Sequence, residues 1–156
     1  MVVLRKMSEE DFQHYLSYAI EDFANEKIKA GTWSQEEGLT LAKQAFNRYL
    51  PKGIETPHEH LYCIVPNEGK KKIGYFWFHY DEADQMKSAF VYDFLIFEPF
   101  QGQGYGTQTM QSFETLAKNM GIKKLGLHVF AHNKRAWHLY EKMGFHATDV
   151  TMAKYI

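Results

Sequence analysis

The chain has 156 residues, 18 Lys and Arg against 19 Asp and Glu, a formal net charge of −1, and 45% hydrophobic residues. That length fits one domain, residues 1–156, with a substantial core. The near-zero charge gives no global field to recruit nucleic acid or an anionic membrane. The single cysteine, Cys63, cannot form an internal disulfide. No stretch approaches the roughly 18 consecutive apolar residues of a membrane helix, and "MVVLRKMSEEDF" lacks the apolar core of a secretion signal. The expected location is cytoplasmic.

"VVLRKM" reads as a short opening strand. Ser8 followed by Glu9, Glu10 and Asp11 is a helix start, and Phe12, Leu16, Ala19 and Phe23 then recur at helical spacing. "AGTWSQEEG" ends that helix. Ser34 with Glu37 three residues on predicts a capping box for a second helix, with Leu39, Ala42, Phe46 and Tyr49 on one face. "HLYCIV" and "IGYFWFHY", joined by "PNEGKKK", predict a hairpin, and "SAFVYDFLIF" a central strand. A glycine-rich segment follows, then a helix striped by Met110, Phe113, Ala117 and Met120 and ended by Gly121. "KKLGLHVFA" reads as a strand, "NKRAWHLYEKMG" as a short helix and "VTMAKYI" as a last strand.

The glycine-rich segment carries the chemistry. A strand that runs into a helix N-terminus presents unpaired N–H groups at the positive end of the helix dipole. Gly102, Gly104 and Gly106 let an anion approach that backbone closely. A P-loop needs Gly-Lys-Ser/Thr, and here Thr107 follows Gly106 directly. A dinucleotide fingerprint needs G-x-G-x-x-G, and Thr107 and Thr109 stand at the third positions. What remains is Gln101-x-x-Gly104-x-Gly106, a phosphate cradle or a purely structural turn.

Downstream, "LGLHVFAHNKRAWHLYEKMGF" carries Leu127-x-Val129, Asn133, Ala136, Leu139-Tyr140 and Gly144-Phe145. With the glycine motif, these resemble the two signature motifs of the GNAT superfamily of acyl-CoA N-acyltransferases, over roughly residues 88 to 146. The likeness is strongest to a bacterial subgroup of small GNAT proteins. It implies an α/β (α+β) three-layer fold with a mixed, mostly antiparallel central sheet of about six to seven strands flanked by helices. The tail is short for the two final strands usual in the family.

The resemblance implies that acetyl-CoA is the cosubstrate and a primary amine the acceptor, joined by direct attack in a ternary complex. The pyrophosphate would sit on backbone amides of the turn formed by Gly102, Gln103, Gly104, Tyr105, Gly106 and Thr107, with Gln101 opening it. Leu95 and Phe97 are the expected carbonyl contacts of the pantetheine arm, which lies like an added strand. Asn133 serves as helix cap, pantetheine contact or both. Tyr140 matches the position of the phenol that protonates the leaving thiolate, and helical spacing alone also suits a core aromatic. His128 and Asp93 are both candidates for accepting the amine proton.

On the acceptor side, Trp33, Glu55, His58 and His60 are the candidate contacts. Glu21, Asp22 and Glu26 read first as a solvated helix face, with attraction of a cationic amine as the functional alternative. His58 and His60 share a strand face that Cys63 does not, so no metal set is expected. The rival to catalysis is an acyl-CoA-binding sensor or partner module. A homodimer is a common outcome for the family.

Overall fold

A computed structural model describes residues 1–67 and 71–156. The elements run β1 (Val2–Lys6), α1 (Glu9–Lys29), α2 (Gly38–Tyr49), β2 (Glu59–Pro66), β3 (Gly74–His79), β4 (Ser88–Ile96), α3 (Tyr105–Asn119), β5 (Lys124–Leu127) and α4 (Lys134–Lys142). Short 3₁₀ turns cover Gly53–Glu55 and Glu98–Phe100. The strands form one sheet in chain order, antiparallel from β1 to β4 and parallel between β4 and β5. Residues 68–70 of the expected hairpin turn lie outside the described residues.

β3, "GYFWFH", is buried on both faces, which is why it reads as a continuous aromatic run rather than an alternating one. Tyr75 and Trp77 face α1 and α2, packing with Phe12, Tyr15, Ala19 and Phe46. Phe76 and Phe78 face α3, packing with Met110, Phe113 and Ala117. Tyr140, Met143 and Phe145, on α4 and just past it, close over that second core from the outside. The result is three layers, helices on either side of a mixed sheet.

Ser8 and Asp11 form a reciprocal capping box at the start of α1: Ser8 Oγ accepts from Asp11 N–H at 3.1 Å, and Asp11 Oδ2 accepts from Ser8 N–H at 3.0 Å. The expected box at α2 is only half made. Ser34 Oγ accepts from Glu37 N–H at 3.3 Å, and Glu37 itself caps the helix without a side-chain bond.

The sheet has five strands among the described residues, fewer than the six to seven expected. "VTMAKYI" forms no strand. A strand holds only against a paired neighbour, and β5, the edge strand on that side, is four residues long. The tail instead leaves Val150, Met152 and Tyr155 exposed and carries the Tyr155 hydroxyl up against Gly31 beyond the end of α1. β5 also stops at Leu127 rather than Ala131. His128 and Val129 therefore lie beyond the ladder.

Candidate active site

β4 and β5 part company halfway. Their pairing covers Ser88–Val91 against Lys124–Leu127, while β4 continues to Ile96, so residues 92–96 have no strand on that side. The register against β3 explains the divergence. Trp77 pairs with Asp93 and Phe78 with Val91, leaving Tyr92 as the extra residue of a β-bulge. A bulge bends its strand and sharpens its twist. It also sets Asp93 under α1, within reach of Tyr15, and Tyr92 against Tyr49 at the end of α2, where its ring stacks on Trp77 at 4.9 Å between centroids.

The gap left by the splay is a groove of about 550 Å³ that runs to the glycine turn, lined there by Gln101, Gly102, Gly104, Gly106 and Thr107. Gly104 is the N-cap of α3 at φ 85°, with no side-chain capping bond and no acidic residue in the first turn. The backbone turns left-handed at Gly102 as well, at φ 76°. A Cβ on Gly104 would meet nothing within 4 Å. The space over the helix start is thus open and edged by unpaired N–H groups. Gln101 fixes the turn from both ends: its Nε2 donates to the Ile96 carbonyl at 2.8 Å, and its Oε1 accepts from Arg135 Nη1 at 2.8 Å. Arg135 thereby holds a guanidinium at the rim of the groove.

A second cavity, of about 660 Å³, opens on the α1 side of the splay. Its walls include Tyr18, Asp22, Phe23, Trp77, Tyr92, Asp93, His128 and Phe130, and it shares Phe94, Leu95, Asn133 and Tyr140 with the groove. The two spaces meet at Tyr140. Asp93 accepts a 2.6 Å hydrogen bond from the Tyr15 hydroxyl. Burial raises its carboxyl to about 6, with Asp22 adding to the rise and the Tyr15 and Phe94 N–H bonds opposing it. Burial and the Asp93 charge together push the Tyr140 phenol well up, so it stays protonated. Burial, aided by Lys27, lowers His128, leaving its imidazole neutral near pH 7. The junction therefore offers a proton acceptor with a near-neutral pKa and a fully protonated donor.

A family model described as the acetyltransferase (GNAT) family matches residues 11–145. The chain belongs to this family. The uncharacterized N-acetyltransferase YycN of Bacillus subtilis is 46% identical over 153 residues, covering 98% of this chain and 97% of YycN. The crystal structure of YycN superposes with a TM-score of 0.97, covering 100% of this chain and 99% of that one. A second Bacillus subtilis protein, the uncharacterized N-acetyltransferase YdgE, is 33% identical, with 97% and 96% of the two chains covered. AAC(6')-Iy, solved with a bisubstrate analogue of coenzyme A and acetylneamine, is 12% identical with a TM-score of 0.62 over 100% of this chain and 98% of that one, which extends the likeness in fold alone. This GNAT protein is an N-acetyltransferase.

Not every residue named from the sequence lines these two spaces. Tyr140, His128, Asp93 and Asn133 line the cavity, and Gln101, Gly102, Gly104, Gly106 and Thr107 line the groove. Asn133 caps α4, its Oδ1 accepting from Ala136 N–H at 3.1 Å. The expected contacts of Gln103 and Tyr105 are their backbone N–H groups, and their side chains are used elsewhere: Gln103 Nε2 donates to the Pro99 carbonyl at 3.0 Å. The Tyr105 ring packs toward Phe100 in the core, with centroids 6.5 Å apart.

Leu95 and Phe97, the expected carbonyl contacts, turn their carbonyls away from the groove. The Leu95 carbonyl lies against Gly74 of β3, and Phe97 donates its N–H to Ile73 and its carbonyl accepts from Phe100 N–H. Because strand residues alternate in direction, the carbonyls facing the groove are those of Phe94 and Ile96, and Gln101 already occupies the second.

Trp33, Glu55, His58 and His60 do not line the cavity. Trp33 packs edge-on against Phe23 from outside, and Glu55 ends a 3₁₀ turn. His58 sits 3.8 Å from Asp81. His60 pairs with Phe78 and stacks on it, so it belongs to the α3 face of the sheet. Sequence reading missed Tyr15, Arg135 and the Trp77–Tyr92 wall. Tyr15 reads simply as a buried position on α1, and nothing local ties it to Asp93, 78 residues away.

Proposed function

We propose that this protein transfers an acetyl group from acetyl-CoA to a primary amine by direct attack in a ternary complex. The observation that carries this reading is the junction at Tyr140, where a groove leading from an open helix N-terminus meets an aromatic cavity floored by Asp93. The N–H groups at the start of α3 and the Arg135 guanidinium suit a pyrophosphate. The Phe94 carbonyl, on the unpaired edge of β4, suits the amide N–H groups of a pantetheine arm laid down as an added strand.

In the cavity, Asp93 takes a proton from the acceptor ammonium. The freed amine nitrogen attacks the thioester carbonyl carbon, forming a C–N bond and a tetrahedral intermediate. Collapse breaks the C–S bond, the Tyr140 hydroxyl protonates the departing thiolate, and the resulting phenoxide takes the extra proton still on the attacking nitrogen, giving the acetamide, the free thiol and a restored phenol. Proton exchange with solvent returns Asp93 to carboxylate. A pKa of about 6 keeps most of Asp93 ionised at pH 7 while matching it to the task better than an ordinary carboxylate. His128, neutral and beside Phe130, lines the same cavity.

The test is amine-dependent thiol release from acetyl-CoA, with Tyr140→Phe beside the wild type. The expected result is a loss of roughly 10²-fold in kcat with acetyl-CoA affinity nearly unchanged. Small, equal losses in both overturn the acid role of Tyr140. Absence of release with any primary amine overturns the transfer reading.

A further inference from the structure

The cavity holds a carboxylate, without a partner among the described residues, that the chemistry does not need. Asp93 suffices to take the proton of the reacting amine, yet Asp22 of α1 lines the same space. Among the described residues Asp22 has no hydrogen-bond or ion-pair partner, and it is only partly exposed. Burial, with Glu26 adding and Lys29 opposing, raises its carboxyl above the usual range. Its charge reaches the floor of the cavity, since it contributes to the rise of both Asp93 and Tyr15.

The other charged groups around the cavity are already engaged. Glu26 accepts from His132 Nε2 at 2.6 Å. Lys27 lies over the Phe23, Trp33 and Phe130 rings at 5.6, 5.7 and 6.0 Å from their centroids. His128 is held neutral by burial and by Lys27. What is left is a pair of carboxylates, Asp22 and Asp93, in a chamber walled by Tyr18, Tyr49, Trp77, Tyr92 and Phe130. Aromatic faces add attraction for a cation and none for an anion.

From this we infer that the acceptor carries a second cationic group besides the amine that reacts. It is a diamine or aminoalkyl ammonium whose reacting nitrogen lies at Asp93 and whose distal cation lies at Asp22. A monoamine leaves Asp22 desolvated without a counter-charge, and an acceptor with a carboxylate at the distal position meets like charge. This inference rests on the reading of the cavity as the acceptor site.

The experiment compares kcat/KM for 1,4-diaminobutane and 1,5-diaminopentane with n-butylamine and n-pentylamine, using acetyl-CoA and the thiol-release assay. The wild type should prefer the diamine of each pair by at least about tenfold, the scale of one partly desolvated ion pair. In Asp22→Asn the ratio should fall to within about threefold of unity, and in Asp22→Glu part of it should survive. Equal rates for diamine and monoamine in the wild type overturn the inference while leaving acetyl transfer standing. A diamine preference that persists in Asp22→Asn overturns the assignment of Asp22. No release with any of the four amines overturns the inference, and release with another primary amine then leaves acetyl transfer standing.

Discussion

Asp93→Asn should make the protein more stable and nearly inactive. The carboxyl of Asp93 sits at about 6 in the fold against an ordinary 3.8, and each pH unit of such a gap corresponds to about 1.4 kcal/mol. Ionised Asp93 therefore costs the native state at most about 3 kcal/mol. Solvent reaching the cavity floor lowers that, and a gain of about 1–2 kcal/mol in Asp93→Asn is the working figure. For a chain of this length it amounts to roughly 3–6 °C in Tm.

The sign follows from proton counting. With a raised native pKa, the folded state holds more protons than the unfolded state between about pH 4 and 6, so this group's contribution to stability falls as pH rises through that window. Asparagine has no such dependence. The variant's advantage should be absent near pH 4 and full above pH 7. Asp11 and His128 are present in both proteins and cancel in the difference, and relief of the Asp22–Asp93 repulsion is part of the gain. Thermal unfolding of both proteins at the two pH values is the assay, with thiol release run in parallel. An Asp93→Asn protein less stable than wild type at pH 7.5, or equally favoured at pH 4, refutes the buried-carboxylate argument.

Tyr15→Phe removes the hydrogen bond that holds the Asp93 pKa down, so the acidic limb of the kcat/KM profile should move from about pH 6 to higher pH. A limb left in place would detach Tyr15 from the base. Arg135→Gln should weaken acetyl-CoA binding by about tenfold at low salt, the scale of a charge-assisted hydrogen bond, and the defect should shrink as salt screens it; equilibrium titration at two ionic strengths checks both. Asp11→Ala removes half the α1 capping box and the ion pairs to Lys72 at 3.0 Å and Arg5 at 3.6 Å. Its stability should drop by about 2 kcal/mol at pH 7, read from the urea midpoint. Burial pushes the Asp11 carboxyl up, but the Ser8 N–H and Lys72 bring it well below the usual range. Its stabilisation is therefore present above about pH 4 and lost as pH falls further.

Local chemistry made much of this site legible in the sequence. The glycine turn, the Asn133 cap and the Ser8 start each depend on residues within a few positions of one another, so spacing alone predicts them. Tyr140 was marked only by the resemblance to the GNAT motif, since helical spacing by itself equally suits a core aromatic. The bulge at Tyr92 was not legible, because it exists only in the register of β4 against β3. That single extra residue moves Asp93 under α1 and Tyr15 and opens the gap along β4. The same register decides that Phe94 rather than Leu95 turns its carbonyl into the groove. Glu55, His58 and His60 looked like pocket residues because they precede a strand, but β2 lies two strands from the splay and His60 faces its other side. The tail pattern of "VTMAKYI" satisfied strand propensity without a partner edge to satisfy.

The measurement that bears most directly on the central claim is a calorimetric titration of acetyl-CoA into the wild type and into Gly104→Val. Gly104 combines a φ of 85° with open space where its side chain would stand. A β-branched residue there both strains the turn and fills the approach to the α3 N-terminus. The wild type should bind in the micromolar range and the variant more than about fiftyfold more weakly, with thermal unfolding verifying that the variant remains folded. Failure of the wild type to bind at millimolar ligand, or equal binding by a folded Gly104→Val, contradicts it.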